Sequence, residues 1–310
     1  MIVFVSNYIH PSCMARLKEF ATVVDNLDEI EKVDAMLIRG FDVTEDVIAK
    51  AKNCKLIARH GVGYNNIDLA AARKYGVAVT NTPAANSDSV AELAVALILD
   101  TERNILQADK GCRAGTVKKN SPVEYKGHEV HGKTLGQIAI GNIGSRVGKI
   151  MKNAFGMNVI AYDPYVTDEK FAEYGFTRTN SLEELIRKSD VVNISACLND
   201  ETRDLISGDM LNWFKKDAVL VNAARGGIVN EMDLYNALKD GKIRAAACDA
   251  FEQEPPDPKH PLYTLPNFIG TPHIGADTEE ALIHMGDMAV DEILRLKNGE
   301  PQLNRVDGGK

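Results

Sequence analysis

The middle of the chain contains a strand, a glycine-rich turn, a helix and a second strand in immediate succession. Residues 133–165 read KTLGQIAIGNIGSRVGKIMKNAFGMNVIAYDPY. Two short apolar runs flanking a glycine turn and an amphipathic segment predict a βαβ unit, whose two strands lie parallel in one sheet. Because all-parallel sheets need helices on both faces, this stretch commits its half of the chain to an α/β fold.

The glycines of this unit predict a dinucleotide site. Gly141 would let the backbone approach a pyrophosphate, and Gly144 would allow close packing of the helix on the strand. The backbone N–H groups of Asn142 and Ile143 would open the helix at its positive end. Asp163 follows at the expected spacing of about 20 residues, where a carboxylate accepts ribose hydroxyls and repels a 2′-phosphate. The pattern therefore favours NAD over NADP.

Ala139 stands where the first glycine of G-x-G-x-x-G belongs. That glycine forms the tight turn, and an alanine can replace it if its φ is negative. We therefore expect a slightly altered turn and an intact site. The motif alone leaves open the alternative of a parallel-sheet turn that binds nothing.

Strand and helix patterns alternate along the rest of the 310 residues as well. We expect an α/β protein with two Rossmann-like or flavodoxin-like domains, each a doubly wound parallel sheet, and a cleft between them. The predicted bounds are residues 1–98 plus 289–310 for one domain and 99–288 for the other. Residues 113–131 are polar and aperiodic, which predicts a connecting loop.

Composition narrows the classes of partner. The net charge of -8 disfavours nucleic acid as a partner. The five cysteines are scattered, with no C-x-x-C pair, which predicts neither a disulfide framework nor a zinc site. His128 and His131 lie in a polar stretch with no third ligand nearby, so we expect no metal. Without a leader or a membrane-length apolar run, we expect a cytoplasmic protein that binds no membrane.

A long apolar helix is predicted from Ser87 onward, in SDSVAELAVALILDTERNIL. Its apolar residues are too many for a helix with one solvated face. We expect it to pack against a second domain or a second subunit.

Three later stretches follow predicted strands: VNAARGGIVNE, CDAFEQEPP and IGTPHIGADT. Together with RHGVGYNNIDL, VTNTPAANSDSVAEL, GKTLG and AYDPY, they make the chain resemble the D-isomer-specific 2-hydroxyacid dehydrogenase family over nearly its whole length. The resemblance is to phosphoglycerate dehydrogenase-like members without a C-terminal regulatory domain. It also implies a homodimer.

The resemblance implies a catalytic trio. Arg225 matches the arginine that grips the substrate carboxylate, His273 the general acid/base on the C2 oxygen, and Glu254 its carboxylate partner. The chemistry needs these residue types in any case. Hydride transfer to a 2-oxo acid builds negative charge on the carbonyl oxygen, which histidine can protonate near neutral pH. An arginine fork binds a carboxylate through two parallel hydrogen bonds.

Further positions are implied for the cofactor. Asp249 matches the aspartate near the nicotinamide carboxamide, and Ala223 lies on a cofactor-facing strand end. The loop after DVVNIS departs from the family's His-x-Pro-Leu, because Ser195 and Cys197 replace the histidine and the proline. Cys197 would border the adenosine, either as an oxidation-sensitive thiol or, the simpler alternative, as a buried inert one.

The substrate side is implied by four residues of the first domain. Val62 and Gly63 match the loop whose backbone N–H groups meet the substrate carboxylate. Arg39 and Arg59 fall near the phosphate-binding arginines of phosphoglycerate dehydrogenases, although the match at Arg39 needs a one-residue gap. A second carboxylate or a sulfonate would suit these cations too.

These implications rank 3-phosphoglycerate first among substrates, followed by hydroxypyruvate and glyoxylate. A rival from another class is an NAD-sensing protein like the C-terminal-binding corepressors, which share the fold and the trio. Formate oxidation is disfavoured, because Glu254 keeps the carboxylate that formate dehydrogenases replace by glutamine.

Overall fold

The computed structural model describes residues 1–118 and 122–308. The chain forms two compact units: Met1–Asn86 together with the chain from Ala276 onward, here the first unit, and Ser87–Gly275, the second unit. The expected boundaries at residues 98/99 and 288/289 fall inside two helices. Each helix belongs whole to one unit, because its buried face packs on a single core, so the division comes earlier in the chain at both places.

The secondary structure alternates between strands and helices in both units. The strands are β1 (Ile2–Val5), β2 (Thr22–Val24), β3 (Ala35–Ile38), β4 (Leu56–Arg59), β5 (Ala78–Thr80), β6 (Thr134–Ile138), β7 (Asn158–Tyr162), β8 (Thr177–Arg178), β9 (Val191–Ile194), β10 (Val219–Asn222), β11 (Ala245–Cys248) and β12 (Phe268–Gly270). The helices are α1 (Pro11–Lys18), α2 (Glu45–Lys50), α3 (Leu69–Tyr75), α4 (Ser87–Arg103), α5 (Ile105–Ala114), α6 (Asn142–Phe155), α7 (Asp168–Tyr174), α8 (Leu182–Lys188), α9 (Glu231–Lys239) and α10 (Glu279–Asn298).

The first unit is a five-stranded parallel sheet in the order β2-β1-β3-β4-β5. Successive residues of a strand enter opposite cores: Phe4 packs with Met36 on one face, and Val3 packs with Leu37 on the other. Helices α2 and α3 cover the first of these faces, and helix α10 covers the second, where Val290 is fully buried. Both faces are therefore covered, which is the doubly wound arrangement that the sequence predicts.

The second unit is a seven-stranded parallel sheet in the order β12-β11-β10-β9-β6-β7-β8. The first strand of this half, β6, lies between β7 and β9, so the chain winds outward from it in both directions. This is the Rossmann order extended by one strand, and ligands of such sheets bind at the carboxyl ends of the strands, where the order reverses. The predicted fold class is confirmed for both units.

Helix α4 packs within the second unit. Ala94, Ile98 and neighbouring apolar residues lie in one core with Val147 of α6 and Val219 of β10. The apolar face of this helix is therefore covered by its own sheet, and it does not by itself indicate a second subunit. None of the described helices combines the length and the apolar character needed to cross a bilayer.

The stretch expected as a loop over residues 113–131 begins with the last residues of α5 and includes a short 3-10 turn, Pro122–Tyr125. Residues 119–121 of that stretch lie outside the described residues.

Candidate active site

The turn between β6 and α6 differs from the expectation at Ala139. Its φ is 63°, in the left-handed region, so the expectation of a negative φ was wrong. Two hydrogen bonds to the end of β7 hold the turn in this conformation. Ala139 donates its N–H to the carbonyl of Tyr162 at 2.9 Å, and Ile140 donates its N–H to Asp163 Oδ2 at 3.0 Å. Alanine adopts a glycine-type conformation here at a cost of about 1 kcal/mol.

The two glycines of the turn have different surroundings. A Cβ on Gly144 would lie 2.1 Å from the carbonyl oxygen of Ala139, so only glycine lets α6 begin this close to β6. A Cβ on Gly141 would have no described atom within 4 Å. The space beside Gly141 is therefore open, as the predicted approach of a pyrophosphate to this backbone requires.

The first turn of α6 and the end of β7 supply groups that suit a dinucleotide. Gly141 is the N-cap residue of α6 and makes no side-chain capping hydrogen bond. The N–H groups that follow, at Asn142 and Ile143, are therefore not bonded by a side chain of the cap residue. Asp163 directly follows β7 and is 8% exposed. Its two oxygens accept the N–H groups of Ile140 and Tyr165 at 3.0 Å each, which leaves each oxygen a further acceptor position. The N–H donors of α6 suit a pyrophosphate, and the acceptor positions of Asp163 suit the hydroxyls of a ribose.

A buried polar network that no sequence motif predicted lies beneath this turn. Gln137 donates from Nε2 to the carbonyl of Ala139 at 3.0 Å and to Ser195 Oγ at 3.1 Å. Asn193 donates to Gln137 Oε1 at 2.9 Å. Ser195 thus completes a network that joins β6 to β9. The available signal was a single amide in each of two otherwise apolar strands, LGQIAI and VVNIS.

Cys197 lies in the loop after β9 as an exposed free thiol. The simpler alternative, a buried inert thiol, was therefore wrong. The loop turns sharply here, and Thr202 donates from Oγ1 to the Cys197 carbonyl at 2.6 Å.

Arg225 lies in the loop after β10, two residues beyond the half-buried Ala223. The loop is fixed by Asn222, whose Nδ2 donates to the Arg225 carbonyl at 2.8 Å. A Cβ on Gly226 would lie 2.0 Å from the carbonyl carbon of Phe251 and 2.4 Å from the nitrogen of Glu252. The loop that carries Arg225 therefore touches, backbone to backbone, the loop that leads to Glu254.

Glu254 and His273 lie together, as the family resemblance implies. His273 Nδ1 lies 2.9 Å from Oε1 and 2.8 Å from Oε2 of Glu254, and both side chains are about 40% exposed, at 39% and 40%. Burial acts to raise the pKa of Glu254, but the hydrogen bond and charge of His273, the N–H of Phe251 and the charge of Arg225 together hold it below its ordinary value. An ionised carboxylate only accepts, so His273 donates from Nδ1, and Nε2 is left for another partner.

Asp249 anchors the loop that carries His273. Its carboxylate, 1% exposed, accepts from Thr271 Oγ1 at 2.6 Å and from the N–H groups of Ile274 and Gly275 at 2.9 Å each. Its carbonyl accepts the N–H of His273 at 2.7 Å. These bonds hold His273 at a φ of 56°, a strained conformation that persists only when its surroundings enforce it. The structure thus gives Asp249 a positioning role, while its contact with a nicotinamide stays a prediction.

In the first unit, Arg59 is bound to the loop after β4. It donates from Nε to the Gly63 carbonyl at 2.8 Å and from Nη1 to the His60 carbonyl at 2.6 Å. Asn81 donates to the Val62 carbonyl at 2.8 Å. Because the C=O and N–H of one peptide point in opposite directions, the Gly63 N–H faces away from Asn81. The loop is therefore held by its carbonyls.

Arg39 follows β3, and its guanidinium pairs with Asp277. The two side chains are 29% and 40% exposed. No sequence pattern predicts this pair, because its members are separated by most of the chain. Over residues 1–118 and 122–308, no cluster of three histidine, cysteine or acidic residues has an arrangement that could hold a metal ion.

Comparison with known proteins places this architecture in a family. The family model of the D-isomer specific 2-hydroxyacid dehydrogenase NAD binding domain matches residues 95–275. The D-3-phosphoglycerate dehydrogenase of Methanocaldococcus jannaschii is 42% identical over 98% of this chain and 59% of its own length. The hydroxypyruvate reductase of Thermotoga maritima is 40% identical over 86% of this chain and 85% of its own length.

The fold is matched equally well by solved structures. A crystal structure of a protein from Thermus thermophilus superposes with a TM-score of 0.92 at 32% identity, covering 99% of this chain and 100% of the other. Relative to the phosphoglycerate dehydrogenase named above, the chain spans less than two thirds of the length. The chain belongs to the D-isomer specific 2-hydroxyacid dehydrogenase family, and residues 95–275 form its NAD-binding domain.

Proposed function

We propose that the protein is an NAD-dependent D-2-hydroxyacid dehydrogenase that interconverts a small 2-hydroxy acid and its 2-oxo acid. The observation that carries the proposal is the pair of Glu254 and His273, held at 2.8 Å in the family's NAD-binding domain. A histidine whose Nδ1 is committed to an ionised carboxylate offers Nε2 as a proton donor or acceptor.

In the proposed reaction, Arg225 binds the carboxylate of the acid through two parallel hydrogen bonds and orients C2. Bound NADH supplies the hydride that C2 accepts. His273 donates the proton that the C2 oxygen takes up, and it accepts the same proton in the reverse direction. Glu254 stabilises the charged imidazole and fixes its orientation, and Asp249 holds the loop from which His273 projects.

NAD is the proposed cofactor rather than NADP, because Asp163 presents a carboxylate at the end of β7. A 2′-phosphate beside that carboxylate would be repelled. Comparing KM for NADH and NADPH tests the choice: we expect NADH to be preferred at least tenfold.

The proposed substrate is 3-phosphoglycerate, with hydroxypyruvate or glyoxylate as the alternative. Phosphoglycerate dehydrogenases among the relatives support the first. The Thermotoga hydroxypyruvate reductase supports the second, since this chain covers most of that relative. Arg39 and Arg59 are the residues proposed to bind the acid on the first unit, together with the loop of Val62 and Gly63.

The first experiment follows the loss of NADH absorbance when the protein meets phosphohydroxypyruvate, hydroxypyruvate, glyoxylate and pyruvate in turn. Rapid oxidation with one acid establishes the dehydrogenase and its substrate class. NADH binding without oxidation of any of them would overturn the proposal and favour an NAD-sensing protein.

We also propose that the protein forms a homodimer. Ile105, Leu106 and Val123 of the second unit are large apolar side chains exposed by 55%, 40% and 74%. The family resemblance implies a homodimer, and a second subunit would cover exposed apolar side chains such as these. Light scattering coupled to size exclusion tests the state: a mass of a single chain at micromolar concentration would contradict it.

A further inference from the structure

The first unit has its own topological switch point, between β1 and β3. From β1 the chain steps outward to β2 on one side, and β3 lies on the other. The carboxyl ends of β1 and β3 therefore border a crevice, which is where ligands bind in open parallel sheets. Ser6 and Asn7 follow β1 there, and Arg39 and Gly40 follow β3.

The backbone of Arg39 is fixed to the β1 side of this crevice. Ser6 Oγ accepts the N–H of Arg39 at 3.1 Å, and Asn7 Oδ1 accepts the N–H of Gly40 at 2.9 Å. With its backbone held, the guanidinium of Arg39 stays at the switch point. Its partner there is the carboxylate of Asp277.

A second arginine lies at this end of the sheet. Arg59, at the end of the neighbouring strand β4, reaches back with Nη1 to the carbonyl of Ile38, at 3.3 Å. His60 lies beside it, and burial and then the positive charge of Arg39 lower the pKa of its imidazole. The guanidinium groups of Arg39 and Arg59 thus lie at the same end of the sheet, where Arg39 carries an acidic partner that an incoming anion would have to displace.

We propose that Asp277 is a specificity-determining residue: an internal counter-ion that an anionic group of the substrate must displace from Arg39. Only the expected effect of Asp277 on turnover rests on the proposed function. A singly charged group of the substrate that displaces Asp277 forms one ion pair with Arg39 and breaks another. It also leaves the displaced carboxylate of Asp277 near a like charge. A phosphate carries up to two negative charges at neutral pH, so its attraction to Arg39 and its repulsion from the displaced carboxylate are both larger.

Asp277 therefore discriminates between acids with charged and uncharged far ends. A phosphate or a second carboxylate at the far end must displace Asp277 from Arg39, whereas an uncharged far end leaves the pair undisturbed. The carboxylate thus weakens the binding of acids with an anionic far end relative to acids with an uncharged one.

The kinetic test uses Asp277→Asn, which removes the charge but keeps an oxygen that Arg39 can bond. KM is measured at pH 7.5 and fixed ionic strength for phosphohydroxypyruvate, 2-oxoglutarate and hydroxypyruvate. We expect KM to fall about tenfold for the two acids with an anionic far end and to change less than twofold for hydroxypyruvate. Glu279→Gln is the matched control, because Glu279 loses the same charge two residues away, where it pairs with His10 at 2.8 Å.

An unchanged KM for the two anionic acids would overturn the proposal, as would an equal fall for hydroxypyruvate or the same effect in Glu279→Gln. Both variants are first compared with the unaltered protein by thermal unfolding, so that a folding defect is recognised. Variants that unfold cooperatively, with a midpoint well above the assay temperature, enter the comparison.

A binding measurement separates this inference from the proposed function. Calorimetric titration with 3-phosphoglycerate, without a nicotinamide, is expected to show about tenfold tighter binding to Asp277→Asn than to the unaltered protein. The gain should disappear in the double variant Asp277→Asn, Arg39→Gln. Equal affinities, or a gain that survives loss of Arg39, would refute the role of Asp277. A gain that depends on Arg39, in a protein that turns over no 2-oxo acid, would support this role while refuting the dehydrogenase.

Discussion

The buried imidazole of His60 makes the stability of the first unit dependent on pH. His60 is 1% exposed, and burial followed by the charge of Arg39 lowers its pKa from 6.5 to about 4. Between these two values the unfolded chain binds a proton that the folded unit does not. Stability is therefore complete above pH 6.5 and is lost as the pH falls towards 4. Integration from pH 7.5 to pH 5 gives a loss of about 2 kcal/mol.

The assay has to report on the first unit alone. The single tryptophan, Trp213, lies in the second unit, so its fluorescence is unsuitable. Hydrogen–deuterium exchange of peptides that cover β3 and β4 gives the free energy of opening where it is needed. We expect this free energy to fall by about 2 kcal/mol more between pH 7.5 and 5 in the unaltered protein than in His60→Leu.

The matched control is His284→Leu, since His284 is exposed on α10. This variant should show the full pH dependence of the unaltered protein. If His60→Leu also lost the same free energy on acidification, His60 would not be the source and the reasoning from its burial would be refuted.

Three other changes test the second unit. Ala139→Gly relieves the left-handed conformation and should raise the free energy of unfolding by about 0.5 kcal/mol, because the greater freedom of glycine in the unfolded chain offsets part of the gain. Urea unfolding followed by Trp213 fluorescence measures this free energy, and a loss of stability would contradict the assigned turn. Gly144→Ala places a Cβ 2.1 Å from a carbonyl oxygen, so NADH affinity should fall more than tenfold; equal affinity in a fluorescence titration would remove the glycine turn from the binding site. His273→Ala or Arg225→Ala should leave NADH affinity within about threefold and lower kcat/KM at least a hundredfold, and normal turnover in either variant would exclude that residue from the mechanism.

The sheets could be predicted from the sequence because their signals are local. Each strand is a short apolar run, and the spacing from Gly144 to Asp163 sets the length of the helix between β6 and β7. The pairing of Glu254 with His273 was implied by the family resemblance. The structure accounts for it, since both residues lie beyond neighbouring strands, β11 and β12, whose carboxyl ends share one edge of the sheet.

What could not be predicted depends on contacts between distant parts of the chain. The φ of Ala139 is set by hydrogen bonds to Tyr162 and Asp163 on the next strand, which no local pattern reveals. The pairing of Arg39 with Asp277 joins two loops far apart in sequence. The unit boundaries were misplaced for a related reason: periodicity marks where a helix lies, but only packing shows which core receives it.

The backbone contact at Gly226 limits how this protein can change over generations. Arg225 and Glu254 stand on two loops that meet where even a single methyl group at Gly226 would collide with Phe251. A substitution that moves one loop must therefore displace the other, so in the proposed mechanism the binding of the acid by Arg225 and the orientation of His273 by Glu254 cannot change independently. If the proposed role of Asp277 holds, substrate preference can instead change by single substitutions in the first unit, away from these two loops.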